Sequence, residues 1–370
     1  MKICIICESA NSNARAYCES FARAGHRVDV IALPGYKDWR MHGGRIHRVH
    51  TLAAFSRCCW LVNFIALIIQ CRFLVRKIRP DILNPIFLFD CGFFGAAAGF
   101  HPLVLTPLGS DVLLYPFQRK TWMRMVAYMI GKADGILSNS PVMTQALTEK
   151  LNTPYDRIMQ ILWNGIDTHA FRPFDARQLR KELGVEDKFL IFSNRRLSLL
   201  YNIESIICMF REFVRIMPRS HLLIAGEGAL KKKLEKMCRA NGLAGNVALA
   251  GWISYERMPA YMNACDLFLT VPGSDSCASS LLEAFACKKP VVASDIPANR
   301  AWIRHGENGW LVAPEDTKSF VNTCIEAART PVAQPELERN RARVIAEADT
   351  ARNMAKVVQE FQVLAARFHR

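Results

Sequence analysis

The feature that most constrains the fold of this chain is a regular alternation of short apolar runs with longer amphipathic stretches. The apolar runs are rich in Val, Ile and Leu, which is typical of strands buried on both faces of a parallel sheet. The amphipathic stretches between them are typical of the helices that cover such a sheet. The pattern therefore predicts an α/β protein with two doubly wound parallel sheets.

The predicted strands fall into two groups along the chain. In the first half they are Lys2–Cys7, His26–Leu33, Arg45–His50, Asp81–Ile86, Leu103–Thr106, Gly135–Ser138 and Ile158–Trp163, and in the second half Phe189–Ser193, His221–Ala225, Asn246–Ala250, Asp266–Val271, Pro290–Ala293 and Gly309–Val312. A turn-rich segment at Asn164–Asp167 separates the halves, because Asn-Gly disfavours a continuing helix. We therefore predict an N-terminal domain of residues 1–165 and a C-terminal domain of residues 166–349. A final helix at about residues 350–370 is a candidate for packing back on the first domain.

The composition excludes several classes of protein. With 51% hydrophobic residues, the 370-residue chain has ample apolar material for packed cores and is not disordered. The thirteen cysteines show no disulfide framework, which favours a reducing cytoplasm. Met1-Lys2-Ile3 leads straight into a strand, so we expect no export signal. The longest apolar run, Cys58–Cys71, would form a helix of about 21 Å, too short to cross a hydrocarbon core of about 30 Å.

The formal charge of +15 favours an anionic partner. Between Arg40 and Lys132, twelve basic residues stand against three acids, an excess of nine. Nucleic acid is not the expected partner, because no helix-turn-helix, zinc-ligand or ribonucleoprotein motif occurs. A phosphate-bearing substrate or an anionic membrane surface fits the charge better. The basic and apolar residues 57–79 form either a membrane-docking surface or a core helix with a solvated basic end.

The stretch with the most chemical information runs from Asp266 to Asp295. A buried strand leads into a loop of small polar residues and then into a helix that begins near Ser279 and Ser280. The unpaired amides and positive dipole end of such a helix favour an anion. Asp275 lies in the loop just after the strand, and Glu283 follows eight positions later, so the two carboxylates could lie on either side of one ligand. The alternative is that a serine caps the helix and both acids are solvated.

Other motifs accompany this stretch in a fixed order. Asp275 and Glu283, with seven residues between them, precede Ala284–Val291 (AFACKKPV), and the further motifs are Asn164–Asp167, Ile224–Gly228, Val247–Gly251, Ala264–Asp266 and Asn308–Val312. In these motifs the chain resembles the retaining glycosyltransferases of family 4, within the group 1 glycosyltransferases. The resemblance covers about residues 160–320 well and the first half loosely. It implies the GT-B fold, in which two Rossmann-like domains face a central cleft.

The resemblance also implies roles for individual residues in binding a nucleotide-sugar. Glu283 is expected to hold the ribose hydroxyls, and Asp275 the hydroxyls of the transferred sugar. Asp275, Arg195 and Arg196 are the expected catalytic residues, with both arginines on the diphosphate. The other expected donor-binding residues are Cys277, Ala278, Ser279, Ser280, Tyr201, Gly226, Gly251, Trp252 and Ile253. This assignment agrees with the chemistry of the groups. A carboxylate accepts hydrogen bonds from the two hydroxyls of a diol, whereas amide N–H groups and cations bind phosphate oxygens. For Trp252 the alternative is a packed side chain at a strand end.

Two positions depart from the family pattern. Tyr201 stands where the family usually has a lysine, and the adjacent Arg195 is a candidate to supply the missing positive charge. Without a replacement, the loss of one charge-assisted phosphate contact would cost about 1.5–3 kcal/mol. Asp275 stands where glutamate is commoner, which shortens the reach of the side chain by one methylene and keeps its charge.

In the first domain, two loops are expected to contribute to the cleft and the acceptor site. Gly109-Ser110-Asp111 follows a predicted strand and is similar to the family segment that faces the donor sugar, with a helix cap as the alternative role for Asp111. The loop after the first strand, which contains Ser9, Asn11 and Asn13, is expected to meet the acceptor or to cap the next helix.

Taken together, the residues and the resemblance predict a cytoplasmic enzyme, with a peripheral location on the inner face of the membrane left open as an alternative. Its predicted reaction moves a sugar from a nucleoside-diphosphate donor to a hydroxyl of a glycan or lipid-linked acceptor, with retention, in cell-surface polysaccharide synthesis. Neither a cofactor nor a metal is expected, because the chain has no Asp-x-Asp pair and no zinc-ligand spacing. The alternative is a nucleotide-sugar-binding protein on the same fold with little or no transferase activity, a hypothesis prompted by Tyr201.

Overall fold

The computed structural model describes residues 1–7, 12–34, 44–51, 60–330 and 332–368. The chain divides into two compact units. Unit 1 contains Met1–Asn164 together with Thr350–Arg370, and unit 2 contains Gly165–Asp349. The division lies one residue from the predicted boundary between residues 165 and 166, and the last helix of the chain belongs to unit 1.

Unit 1 is built on parallel strands. Its first sheet has the order β3-β2-β1-β4 and contains β1 (Lys2–Cys7), β2 (Arg27–Ala32), β3 (Gly44–Arg48) and β4 (Ile82–Pro85). Its second sheet has the order β5-β6-β7 and contains β5 (Val104–Leu105), β6 (Gly135–Ser138) and β7 (Ile158–Gln160). Parallel bridges from Leu83 to Leu103 and from Ile86 to Thr106 join the two sheets. All described pairings between these strands are parallel.

Unit 2 holds a six-stranded parallel sheet of order β10-β9-β8-β11-β12-β13. Its strands are β8 (Phe189–Asn194), β9 (Ser220–Ala225), β10 (Val247–Gly251), β11 (Leu267–Thr270), β12 (Val291–Ser294) and β13 (Trp310–Val312). The chain proceeds from β8 toward one edge of the sheet and from β11 toward the other. The carboxyl ends of β8 and β11 therefore form a topological switch point, which is the usual ligand position in open α/β sheets.

The helices complete both units. Those of unit 1 up to its last strand are α1 (Ser12–Arg23), α2 (Trp60–Ile78), α3 (Phe93–Ala98), α4 (Ser110–Leu113), α5 (Lys120–Lys132) and α6 (Pro141–Gln145). Those of unit 2 are α7 (Arg177–Glu182), α8 (Ile203–Ile216), α9 (Lys231–Ala240), α10 (Met258–Ala264), α11 (Ser279–Ala286), α12 (Pro297–Arg300), α13 (Thr317–Arg329) and α14 (Gln334–Glu347). The final helix, α15 (Thr350–Phe368), packs on α1, where the buried rings of Phe21 and Phe361 stack with centroids 5.6 Å apart. This apolar contact ties the last helix of the chain to unit 1.

The predicted α/β class with two domains built on parallel sheets is confirmed, although the strands of unit 1 form two sheets joined by bridges rather than one. Most strands begin and end within a residue or two of their predicted limits, because their Val, Ile and Leu side chains are buried as the pattern requires. The predicted strand Ile158–Trp163 instead ends at Gln160. The chain then turns, and the Trp163 amide donates to the Ile161 carbonyl at 2.8 Å.

Candidate functional site

The candidate site of unit 2 lies at the switch point between β8 and β11. β8 ends at Asn194, and the next two residues, Arg195 and Arg196, leave the sheet at its carboxyl edge. The loop after β9 passes very close to this exit: a Cβ on Gly226 would lie 2.3 Å from the Arg195 carbonyl oxygen. Gly226 also has φ +134°, a conformation that L-residues with side chains rarely adopt. Glycine at this position therefore allows the loop after β9 to pack directly against the backbone that carries the arginines.

Arg195 is the centre of the site. Its Nη2 donates to Asp275 Oδ2 at 2.6 Å, and its Nη1 donates to Ser280 Oγ at 3.0 Å. The guanidinium carbon lies 4.4 Å from the ring centre of Tyr201. The side chains of Arg195 and Asp275 are only 13% and 14% exposed. Burial lowers the pKa of Arg195, but the Asp275 and Tyr201 side chains outweigh burial and raise it, so the arginine stays charged.

Glu283 lies on α11, with only 8% of its surface exposed. Its Oε2 accepts a hydrogen bond from Asn194 Nδ2 at 3.2 Å. Burial raises the pKa of Glu283 to about 7, although the Asn194 hydrogen bond and the charge of Arg195 both lower it. The Asn194 hydrogen bond thus holds the Glu283 carboxyl group at the sheet edge. Because its pKa is about 7, this group changes between its neutral and ionised forms near neutral pH. The alternative that both acids are solvated is wrong for this structure.

The start of α11 lies in the same place. Its N-cap is Ala278, whose side chain has no hydrogen-bonding group, so neither Ser279 nor Ser280 is the N-cap residue. Ser280 is buried and accepts from Arg195, whereas Ser279 is half-buried. Burial raises the pKa of the Cys277 thiol to about 12, so this cysteine is no thiolate nucleophile near neutral pH. A helix start beside a buried arginine provides an arrangement suited to an anion.

The remaining residues predicted in unit 2 differ in exposure. Arg196 is exposed, and within the described part of the chain no side-chain hydrogen bond or ion pair holds it. Trp252 is 74% exposed at the end of β10, so the alternative of a packed side chain is wrong. Ile253 is half-buried, and the Gly251 carbonyl accepts from the Gly226 amide at 2.7 Å. The residues that follow β8, β9, β10 and β11 therefore share the carboxyl edge of the sheet.

In unit 1 the structure corrects one expectation. Asp111 is fully buried, and its carboxylate accepts backbone N–H bonds from Leu88, Leu108 and Gly109 at 2.8–3.2 Å. The prediction that the Asp111 side chain faces a ligand is therefore wrong, because both of its oxygens bind the loop itself. Gly109, with φ +140°, and Ser110, at the start of α4, remain candidates to contact an acceptor. Ser9, Asn11 and the side chain of Asn13 lie outside the described residues.

Sequence reasoning missed Asn194, which contacts Glu283 from the adjacent strand end. An amide at the end of a strand gives no distinctive signal, and the two residues are 89 positions apart. Among the residues that the structure describes, no group of three or more His, Cys, Asp or Glu side chains is arranged to hold a metal ion.

Comparison with known proteins identifies the family. Residues 175–347 match the family model of the glycosyl transferases group 1, and residues 2–140 match that of the glycosyl transferase 4-like proteins. The chain belongs to these glycosyltransferases. The two matches fall in separate units, and the first contains Arg195, Asp275 and Glu283.

Individual relatives of this glycosyltransferase are distant in sequence. It is 25% identical over 275 residues to the putative glycosyltransferase EpsD of Bacillus subtilis, a match covering 72% of this chain and 68% of EpsD. It is 26% identical over 248 residues to the lipopolysaccharide core biosynthesis mannosyltransferase LpsB of Rhizobium meliloti, covering 65% of this chain and 66% of LpsB. The crystal structure of Anabaena HepE in complex with UDP and glucose is similar, with a TM-score of 0.80 and 19% identity over 98% of this chain and all of that one. This likeness confirms the predicted GT-B fold.

Proposed function

We propose that this glycosyltransferase moves a sugar from a nucleoside-diphosphate donor to a hydroxyl of a glycan or lipid-linked acceptor, with retention at the anomeric carbon. We place the reaction in cell-surface polysaccharide synthesis, on the analogy of LpsB. The observation that carries the proposal is the cluster of Arg195, Asp275, Ser280 and Glu283 at the switch point of unit 2. It combines a buried cation, a helix start and two carboxylates, which are the groups that a nucleotide-sugar requires.

Each group has a role in the proposed donor complex. Arg195, Arg196 and the start of α11 bind the diphosphate, because positive charge and N–H groups suit phosphate oxygens. Glu283 accepts hydrogen bonds from the ribose hydroxyls, and Asp275 accepts from hydroxyls of the transferred sugar. Trp252 has an exposed ring that can contact the base. A UDP-bound relative of the same fold supports a nucleoside diphosphate as the ligand.

The proposed reaction breaks the bond from the anomeric carbon to the diphosphate and forms a bond from that carbon to the acceptor oxygen on the same face. The acceptor proton passes to an oxygen of the departing diphosphate. Negative charge builds on the diphosphate as its bond breaks, so preorganised cations lower the barrier. Arg195 and Arg196 supply that charge from the protein, and we therefore propose that the reaction needs no metal ion or cofactor.

A turnover assay tests the proposal against the alternative of a sugar-nucleotide-binding protein. UDP-, GDP- and ADP-sugars are incubated with the enzyme, with and without a lipid-linked glycan acceptor, in buffer containing EDTA. We expect acceptor-dependent release of the nucleoside diphosphate and an α-linked product from an α-linked donor, determined by NMR. Donor binding without release in the presence of the acceptors would favour the alternative, and an inverted product would contradict retention.

We also propose that unit 1 contacts an anionic membrane surface through α2. Five large apolar side chains of this helix are 41–64% exposed: Leu61, Val62, Ile65, Ile69 and Phe73. At about 100° per residue, these side chains fall within an arc of about 120°, and exposed Arg72 and Arg76 fall within the same arc. Buried Leu67, Cys71 and Val75 lie outside this arc. The helix is thus amphipathic with an unusual solvent face, both apolar and basic.

This combination suits a bilayer surface better than either feature alone. Apolar side chains enter the boundary between headgroups and acyl chains, while arginines meet anionic headgroups, each worth about 1 kcal/mol near the surface. Among the described residues, no helix is long and apolar enough to cross a membrane. We propose that the contact is peripheral. All eleven cysteines that the structure describes are free thiols, which supports the cytoplasmic face of the membrane.

Vesicle flotation tests the membrane contact. We expect the enzyme to float with vesicles of equimolar phosphatidylglycerol and phosphatidylcholine and much less with phosphatidylcholine alone. Ile65→Asp and Ile69→Asp should abolish flotation, and Arg72→Glu should weaken it. Val363→Asp is the matched control, because Val363 is an exposed apolar residue (46%) on α15 of the same unit. Equal flotation by Ile69→Asp and Val363→Asp, or no flotation of the wild type, would contradict the proposal.

A further inference from the structure

Tyr201 lies in the site, beside Arg195, but the proposed mechanism gives it no role. It occupies the position where the family usually has a lysine, yet it cannot supply a positive charge. Its ring instead lies under Arg195, with 4.4 Å between the ring centre and the guanidinium carbon. This distance is well within the range of a cation–π interaction, which is favourable up to about 6 Å.

The backbone around Tyr201 is fixed to the loop that follows β11. Tyr201 ends a short 3₁₀ turn, Leu199–Tyr201. The Gly273 amide donates to the Leu200 carbonyl at 2.8 Å, and Asn202 Nδ2 donates to the Val271 carbonyl at 3.0 Å. The side chain of Tyr201 also packs against the hydrophobic core of unit 2. The ring is therefore held in a constant position relative to the loop that carries Asp275.

Arg195 is consequently restrained in two ways. Its guanidinium carbon lies over the ring of Tyr201, while Asp275 and Ser280 accept hydrogen bonds from two of its nitrogens. A flexible arginine would lose side-chain entropy when it bound a phosphate, and this loss is smaller when the side chain is already ordered. A lysine at position 201 would place a second cation beside Arg195, whereas an aromatic ring attracts the guanidinium.

We propose that Tyr201 is a positioning residue whose ring holds Arg195 in the geometry that binds the donor diphosphate. This inference rests on the proposed function, since it requires that Arg195 bind a diphosphate.

Nucleoside-diphosphate affinity in a double-mutant cycle tests the inference. UDP, GDP and ADP are titrated calorimetrically into the wild-type enzyme, and the tightest ligand is used for the variants. Tyr201→Leu removes the ring and should weaken binding by about 3- to 20-fold, whereas Tyr201→Phe keeps the ring and should bind within about twofold of the wild type. In the background of Arg195→Ala, Tyr201→Leu should cause no further loss, because the ring acts only through Arg195.

A second pair in unit 2 provides the matched control. Arg257 lies over the ring of Tyr261 at 5.6 Å, and neither residue belongs to the proposed site. Tyr261→Leu should leave the affinity unchanged, and the melting temperature of each variant establishes that it is folded. Equal losses for Tyr201→Leu in the presence and absence of Arg195, or a loss for Tyr201→Phe as large as for Tyr201→Leu, would overturn the inference while leaving the proposed function intact. A wild type that binds none of the three nucleotides would contradict both.

Discussion

Asn194 Nδ2 lies 3.2 Å from Oε2 of Glu283, so the last residue of one central strand holds the buried carboxylate of the helix that follows the neighbouring strand. The amide stabilises the ionised carboxylate, while burial favours the neutral carboxyl. Because burial is the larger effect, the pKa of Glu283 is raised to about 7. Burial therefore dominates the ionisation of the residue that we assign to the ribose, and the Asn194 hydrogen bond and the charge of Arg195 oppose it.

The first prediction concerns Asn194. Asn194→Leu removes the hydrogen bond and should raise the pKa of Glu283 further, because that bond lowers it in the wild type. If ionised Glu283 binds the ribose, nucleoside-diphosphate affinity should increase with pH through about 7 in the wild type, and the midpoint should move upward in the variant. Calorimetric titration across this pH range measures both midpoints. The ionisation of the nucleotide itself is common to both proteins, so identical pH profiles would show that Asn194 does not control Glu283.

The second prediction concerns the stability of the ligand-free protein. The pKa of Glu283 is about 7 in the folded state and close to the ordinary 4.5 in the unfolded state, so protonation favours folding. This contribution is fully present below about pH 4.5 and is lost as the pH rises through about 7. Glu283→Gln is neutral throughout, and its gain in melting temperature over the wild type should be larger at about pH 8 than at about pH 5. A gain that did not change with pH would contradict the raised pKa.

The third prediction concerns Asp111. Asp111→Asn replaces an acceptor oxygen with an NH₂ group that faces the backbone N–H groups of Leu88, Leu108 and Gly109. The unpaired donors should destabilise the protein by about 2–4 kcal/mol, measured by urea denaturation. Asp90→Asn is the control, because Asp90 is an exposed carboxylate of the same unit and should change stability by less than about 0.5 kcal/mol. A stability of Asp111→Asn equal to that of the control would mean that the carboxylate is dispensable to the loop.

The sequence predicted most of the fold, because buried parallel strands require near-continuous apolar runs and few other structures do. The spacing of Asp275 and Glu283 suggested one shared ligand, and the resemblance to family 4 added Arg195 to the same expected site. In the structure the three residues lie at one edge of the sheet, where the carboxyl ends of neighbouring parallel strands meet. The contacts within the site were not predictable in this way. The ion pair of Arg195 with Asp275 joins residues 80 positions apart, and the orientation of each side chain depends on packing that no local pattern records.

Asp111 shows the same limit in unit 1. Its place after a strand and before a helix is the same whether the carboxylate faces a ligand or the loop. The deciding contact is the hydrogen bond from the Leu88 amide, 23 residues earlier in the chain. The sequence could therefore locate the loop but could not give the direction of its acidic side chain.

The central claim is that the two acids bind different parts of one nucleotide-sugar, Glu283 the ribose and Asp275 the transferred sugar. The most direct test is calorimetric titration of the bare nucleoside diphosphate against Glu283→Gln and Asp275→Asn, together with turnover of the matching sugar donor. Glu283→Gln should weaken binding of the bare nucleotide, while Asp275→Asn should leave it within about threefold and lower turnover by about 2–4 kcal/mol in activation free energy. Wild-type turnover in folded Asp275→Asn, or undiminished nucleotide affinity in Glu283→Gln, would contradict the assignment.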